Sequence, residues 1–255
     1  MNPNLCRVAL RPRSPFEVFD LTLRFARERA RPLLWLTLWT VGPAFAGCLL
    51  VAWLMDFSLG AVFVAVLVGP VVHAPFTLLG GRLLFQDDAS VAQAIKDSFR
   101  ATGAVVLTTL AEYLQWALVC TGIGVIALPV FVYLPETALL ERVPLARGIG
   151  RTSRLAAGQV GVAVVAAAGR WILLFWGGLV GELTGQVIVG FLLQLGQPFG
   201  SLEGGVLTPY LLLGVLLTHP LYALFRLLLY VDVRTRMEGW DLQVGLRALG
   251  LEDAA

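Results

Sequence analysis

Charged residues are few in this chain. Only 14% of its 255 residues are Asp, Glu, Lys or Arg, whereas 58% are hydrophobic, and the mean hydropathy is +0.80. Soluble domains carry about 25% charged residues, which they need to cover their surface with groups that water solvates. The composition therefore excludes a soluble enzyme and a disordered chain, and it predicts an integral membrane protein.

Cysteine, histidine and lysine are also scarce. The three cysteines lie far apart, at Cys6, Cys48 and Cys120, which is not the spacing of a disulfide framework or a metal knuckle. The chain has no phosphate loop, nucleophile elbow, HExxH or CxxC motif. From these absences we expect no catalytic residues, no metal, no cofactor and no nucleic-acid partner.

Long apolar runs are abundant instead. The hydrocarbon core of a bilayer is about 30 Å thick, so a spanning helix needs about 20 apolar residues. Five runs have this length, and a sixth, shorter run is needed to return the chain across the membrane. The six predicted spans are residues 33–55, 57–79, 103–121, 124–140, 160–180 and 209–231.

The basic residues are sorted to one side of these spans. Of the 19 Lys and Arg residues, 18 fall within 1–32, 82–102, 141–158 and 226–255, and the other, Arg170, lies inside the fifth span. The loops on the other side, around Asp56, around Gly122 and at 181–208, contain none. Since basic loops stay in the cytoplasm, we expect a bacterial inner-membrane protein with both termini cytoplasmic.

Short amphipathic stretches precede the odd-numbered spans, at 16–30, 91–102 and 145–157. Apolar residues recur at three- and four-residue spacing, which predicts helices that lie in the membrane interface. Each stretch has a hydroxyl residue two positions before an arginine, at Arg24, Arg100 and Arg154. These helices either anchor the chain on the anionic leaflet or form a docking platform for a cytosolic partner.

This order of elements predicts an all-α membrane domain over 1–255. It consists of three units, about 14–88, 89–143 and 144–240, each an interfacial helix followed by a transmembrane hairpin. An amphipathic tail follows at 240–255. In the long loop, we expect residues 187–195 to form a separate interfacial or re-entrant helix, since they are apolar but too few to span.

Polar residues inside the predicted spans are candidate functional groups, because each costs several kcal/mol at membrane depth unless it is paired or hydrated. At 1.5 Å per residue they lie about 13–18 Å from the basic end. We expect Glu112 and Arg170 to form an ion pair near the other members. These five residues, His73, Glu112, Gln115, Arg170 and His219, form a predicted mid-membrane polar layer.

Three roles remain open for this layer. It is a buried clamp that fixes helix packing, it is a substrate or proton pathway, or Arg170 extends to an interface instead. The even-numbered spans each contain two prolines, including Pro209 and Pro220 in the sixth, which predicts kinks. Glu136, which follows Pro135, is expected to be interfacial and solvated.

Two segments resemble those of a known family. Residues 145–158, LARGIGRTSRLAAG, are similar to its A-(R)-R-S-x-R-L-x-x-G segment. Residues 227–242, LLLYVDVRTRMEGWDL, resemble its Y-x-D-x-R-x-R-x-E-G-x-D-L ending, which includes Asp232, Arg234 and Arg236. The family is the six-helix membrane domain first named from glycerophosphoryl diester phosphodiesterases. Since stand-alone members often accompany transglutaminase-like and MoxR-type ATPase proteins, the resemblance implies an envelope-associated complex.

The enzymatic activity is not expected to transfer with this resemblance. A phosphodiesterase of that kind needs a soluble barrel of about 250 residues with metal-binding histidines and acids, and both histidines here lie inside spans. The motif from Asp232 to Glu238 is expected to form a salt-bridge network at the membrane edge or to seat a partner. We expect a non-enzymatic scaffold or partner subunit; the alternatives are a lipid or small-molecule transporter and an intramembrane enzyme.

Overall fold

A computed structural model describes residues 12–86, 88–120, 131–200, 202 and 206–239. Across these residues the chain is helical and contains no strand, so the predicted all-α class is confirmed. The described α-helices are α1 (Pro15–Glu28), α2 (Ala30–Leu54), α3 (Val62–Leu83), α4 (Val91–Arg100), α5 (Thr102–Cys120), α6 (Leu134–Leu140), α7 (Leu145–Ala157), α8 (Val160–Gln186) and α9 (Pro209–Glu238). A 3₁₀ turn, Leu59–Ala61, precedes α3, and a π-helical turn, Val187–Leu192, continues α8.

Four of the described helices are long and apolar enough to cross a membrane. They are α2, α3, α9 and the continuous helix formed by α8 with its π-helical turn, and they indicate a membrane protein. α5 covers most of the predicted third span. Residues 124–130 of the predicted fourth span, the turn before it and the tail at 240–255 lie outside the described residues, and the rest of that span contains α6.

α9 is the central helix of the bundle. It packs against α8 and α3 and also contacts α1 and α2. Of its most apolar 18-residue window 78% is buried, compared with 17% for α2. α2 is peripheral and exposes Trp35, Trp39 and Trp53. A helix that is apolar all round but only partly buried by protein is stable where the surrounding solvent is lipid.

Glycines bring α8 and α9 into backbone contact. Gly177, Gly181 and Gly185 recur every four residues along α8, on the face turned to α9. A Cβ atom on Gly181 would lie 2.6 Å from Cα of Gly214, and one on Gly214 would lie 2.2 Å from the carbonyl oxygen of Gly177. Small residues are what allow such an approach between helices in lipid.

The three amphipathic stretches form α1, α4 and α7, as predicted. α1 begins at a capping box in which Ser14 accepts from the Glu17 amide and Glu17 accepts from the Ser14 amide. Its buried residues, Val18, Thr22 and Phe25, face the bundle, whereas Phe16 is 86% exposed. The outward apolar side chain fits an interfacial helix. The grouping into three units within a single domain stays a prediction.

Two expectations about helix ends are wrong. Residues 187–195 do not form a separate helix, because α8 runs through Gly185 into its π-helical turn. A glycine costs a helix about 1 kcal/mol but does not by itself end it. The end comes at Gln194 and Gly196, which both have positive φ. Pro209 does not kink α9 either, because it occupies the first turn, where a proline removes no helical hydrogen bond.

Candidate functional site

Four charged side chains form a continuous chain inside the bundle. Arg170 Nη1 lies 3.0 Å from Glu112 Oε2, and Glu112 Oε1 lies 2.6 Å from Arg226 Nη1. Arg226 Nε in turn donates to Glu136 Oε1 at 2.7 Å. All four residues are at most 4% exposed. The predicted Glu112–Arg170 ion pair is confirmed, as part of a larger network that we call the charged chain.

The charges of this chain alternate and sum to zero. Removing a charge from water costs several kcal/mol, and only close partners and further hydrogen bonds offset that cost. Glu112 lies between two arginines and uses one oxygen for each. Arg170 also donates from Nη2 to the carbonyl oxygen of Val66 at 3.3 Å. These contacts join α3, α5, α6, α8 and α9.

The two buried histidines lie beside the charged chain. His73 Nε2 is 3.1 Å from His219 Nδ1, and His219 Nε2 is 3.0 Å from the carbonyl oxygen of Ala65. Because a carbonyl only accepts, His219 Nε2 carries the hydrogen, and in the neutral ring its Nδ1 then accepts from His73 Nε2. Gly69 makes room for this arrangement, since a Cβ there would lie 2.4 Å from Cε1 of His219.

Tyr222 connects the histidines to the charged chain. Its ring centroid lies 5.3 Å from that of His73 and 5.4 Å from Cζ of Arg226. Gln115 is 3% exposed and borders a void shared with Glu112 and Arg170. The predicted polar layer is therefore one connected cluster. The void measures about 10 Å³, which is room for about one water molecule.

The sequence analysis places two members of the charged chain, Glu136 and Arg226, outside the bundle interior, but both are buried. Glu136 is wrongly expected to be solvated, since it is 0% exposed. Arg226 is counted with the basic loop residues, yet it is 2% exposed and lies 12 residues before the end of α9. Its position inside the apolar run 209–231 is the signal that identifies it, because the same reasoning selected Arg170.

The motif at the end of α9 forms two ion clusters. Asp232 accepts from Arg236 at 2.8 Å and from the Arg13 amide at 2.7 Å, which holds the chain just before α1. Arg234 pairs with Glu238 at 2.9 Å and with Glu141 at 3.3 Å. The salt-bridge network expected from this motif is present, and it ties both the start of the described chain and the α6–α7 turn to α9.

Glu141 is the acceptor around which the second of these clusters is built. Burial alone raises its pKa, but hydrogen bonds from Arg151 and Tyr230 outweigh that effect and hold the pKa of Glu141 below its ordinary value. Arg151 also reaches Glu238 at 3.0 Å. Since carboxylates and arginines here neutralise each other, this cluster is a structural tie between α7 and α9 rather than a free charged surface.

The other predicted interface arginines are exposed. The Arg24 and Arg100 side chains are 72% and 65% exposed, and Arg154 is exposed with a hydrogen bond to its own helix at Gly150. The hydroxyls two positions before Arg24 and Arg154 instead bond inward, Thr22 to Val18 and Thr152 to Gly148. The predicted interface set therefore separates into exposed arginines, Arg24, Arg100 and Arg154, and the less exposed pairs of the motif at the end of α9.

A shallow groove runs between α2 and α4. It has a volume of about 750 Å³ and is almost wholly apolar. We call it the aromatic groove, and its lining residues are Trp35, Trp39, Val91, Ala92, Ile95, Lys96 and Phe99. Phe99 is 75% exposed, so this surface is open. Lys96, the one lysine of the sequence, has no ion pair with any described residue.

The fold and the buried cluster define a helical membrane protein with a charge-balanced polar centre. No group of three His, Cys, Asp or Glu side chains suited to a metal occurs among the residues that the structure describes. No family model matches the chain, and comparisons with curated proteins and with solved structures gave no match. The resemblance to the phosphodiesterase-associated membrane domain stays a prediction.

Proposed function

We propose that this protein is a non-enzymatic scaffold or partner subunit of an envelope-associated complex in a bacterial inner membrane. The observation that carries this proposal is the closed polar centre. Glu112, Arg170 and Arg226 pair with one another, and the void beside them has room for about one water molecule. A layer packed in this way holds helices together and leaves no volume for a substrate.

The proposed topology has six transmembrane helices with both termini in the cytoplasm. Four described helices have the length of a span, and α5 with the run at 124–140 would supply the other two. The sorting of arginines supports this orientation, because the loop at 181–208 contains no basic residue. In this arrangement α1, α4 and α7 lie at the cytoplasmic face, on the anionic leaflet.

The aromatic groove is the proposed contact surface. Trp39 and Phe99 are large, exposed and rigid, and aromatic residues of this kind dominate the energetics of protein interfaces. Lys96 adds a single positive charge beside them. The occupant that fits is a helix of a partner membrane protein, with an apolar face toward the tryptophans and an acidic side chain opposite Lys96.

A photo-crosslinking amino acid at position 99 tests this proposal. In native membranes, we expect the Phe99 replacement to form a covalent adduct with one partner protein, identified by mass spectrometry. The matched control is the same replacement at Phe175 of α8, which is 67% exposed on another face and should give lipid adducts only. Lys96→Glu should weaken the adduct at position 99 by charge repulsion.

The opposite result would be adducts with lipid alone at both positions. In that case the second candidate, a lipid or small-molecule transporter, gains weight. One observation favours it: the buried atoms His73 Nδ1, Thr77 Oγ1 and Glu136 Oε2 have no hydrogen-bond partner in the described structure, and unpaired polar groups of this kind are where water or a solute enters. If the purified protein in vesicles then showed solute uptake or lipid transfer, the transporter proposal would replace the scaffold proposal.

A further inference from the structure

A second cavity opens at the basic end of the bundle. It has a volume of about 660 Å³ and lies between the ends of α3, α4, α5 and α6 and the turn that leads into α7. We call it the basic pocket. Its floor is apolar and includes Leu78, Leu107 and Leu139. Its rim has Arg82, Arg100, Arg142 and Asp97. A volume of this size is typical of a small-molecule site.

The rim has more positive than negative charge. Arg82 and Arg100 share a single carboxylate, Asp97, with Arg100 at 3.5 Å and Arg82 in direct contact. Arg142 has no ion pair with any described residue. The hydrogen bond from Arg82 lowers the pKa of Asp97 below its ordinary value, so the aspartate is ionised at neutral pH. Three arginines and one aspartate leave the rim with a net charge of +2.

The start of α7 also borders the basic pocket. Pro144 is the N-cap of α7 and provides no side-chain cap, so the first amide groups of that helix have no partner from the cap. Pro144 also lines the basic pocket. Uncapped helix amides favour an anion, and the N-cap of this helix lies in the same pocket lining as the three arginines.

The combination of an apolar floor and a cationic rim selects for an amphiphile. A free anion would satisfy the arginines but leave the leucine floor in contact with water. A neutral lipid would cover the floor but leave the positive charges without a partner. Basic pockets between transmembrane helices at the cytoplasmic side have the character of sites for anionic lipid headgroups.

We propose that the basic pocket binds one anionic phospholipid, with its phosphate between Arg100 and Arg142 and an acyl chain over Leu107 and Leu139. This inference uses the membrane placement in the proposed function but does not depend on a protein partner. The basic pocket and the aromatic groove use different residues of α4, so each can be altered without touching the other.

Native mass spectrometry of the purified full chain tests the site. The protein is exchanged into detergent with equal amounts of phosphatidylglycerol and phosphatidylcholine, and retained lipid is counted. We expect one tightly held phosphatidylglycerol. The variant Arg100→Gln/Arg142→Gln should bind it at least about tenfold more weakly, because both cationic partners of the phosphate are removed. Arg24→Gln/Arg154→Gln removes the same charge elsewhere and should change the affinity little.

Two further arms separate a lipid from other ligands. Ala104→Trp fills the apolar part of the pocket without changing its charge, so it should also remove the retained lipid while the helical content stays unchanged. Inorganic phosphate should not displace phosphatidylglycerol, because it cannot cover the leucines. Displacement by phosphate, equal retention of phosphatidylcholine, or equal loss in both arginine double variants would overturn the proposal. None of these outcomes would change the result expected for the crosslink at position 99, so the lipid site and the partner surface are tested independently.

Discussion

Glu112 is the residue on which the polar centre depends. It touches both Arg170 and Arg226, whereas Glu136 touches Arg226 alone. A buried charge that loses its partner keeps its desolvation cost and loses the attraction that offset it. The two acids therefore contribute unequally to the stability of the bundle. Glu112, which contacts two arginines, should contribute more than Glu136, which contacts one.

The first prediction concerns this order. Glu112→Gln should lower the free energy of unfolding by about 3–5 kcal/mol, because it leaves two buried arginines without a full partner. Glu136→Gln should cost less, about 2 kcal/mol, since one charged hydrogen bond is weakened. Denaturation of the purified protein in mixed micelles measures both values.

The exposed residue Glu28 provides the control for the acid series. Glu28→Gln should change the free energy of unfolding by no more than about 0.5 kcal/mol, as surface substitutions usually do. Equal stability of the Glu112→Gln and Glu28→Gln variants would show that the charged chain does not hold the bundle together.

At the scale of helices, α8 and α9 come into close contact because glycine has no side chain. The backbones meet at Gly177, Gly181 and Gly214, with no side chain between them. This close approach brings Arg170 of α8 and Arg226 of α9 to the same carboxylate of α5. The small-residue face and the charged chain therefore act on the same pair of helices, one through dispersion and the other through charge.

A pair of alanine substitutions in α8 tests this contact. Gly181→Ala places a Cβ 2.6 Å from Cα of Gly214, which forces the helices apart and should cost about 1–3 kcal/mol, as overpacking does. Gly161→Ala meets nothing within 4 Å and should be neutral or stabilising by up to about 1 kcal/mol, because alanine favours the helix. Thermal melting in detergent compares the two; equal melting temperatures would mean that the helices are not in backbone contact.

At the scale of the whole molecule, the described basic residues outside the bundle interior lie at one end. The turn between α6 and α7 joins α9 there through Glu141, Arg151 and Arg234, and Asp232 holds the chain before α1. The opposite end has the segment after α8, residues 187–208, which contains no basic residue. This asymmetry supports the proposed orientation in the membrane.

Cysteine accessibility tests that orientation. In a variant without its three native cysteines, Gln194→Cys should react with a membrane-impermeant thiol reagent in intact cells. Ala146→Cys in α7 should react only after the cells are permeabilised, because the proposed topology places the basic end in the cytoplasm. Both positions are exposed, so burial does not explain a difference. Labelling of both from the same side would overturn the proposed topology.

Much of the local structure could be predicted from the chain alone. α1, α4 and α7 follow from apolar spacing, and each begins within a few residues of its predicted position. Periodicity and capping act over a few residues, so they can be read from neighbours in sequence. The end of α8 was not readable in this way, because Gly185 signals a stop that packing against Tyr210 overrides.

The sequence by itself determined that this is a helical membrane protein and where its amphipathic helices lie. It also determined that Glu112 and Arg170 need a partner. Composition, hydrophobic period and the cost of a buried charge are properties of short segments, so they can be evaluated without the fold. Only the tertiary structure decided that Arg226 and Glu136 complete the charged chain, that His219 donates to Ala65, and that glycines of α8 meet Gly214. Those partners are up to 154 residues apart, and which helix faces which is set by packing across the whole bundle.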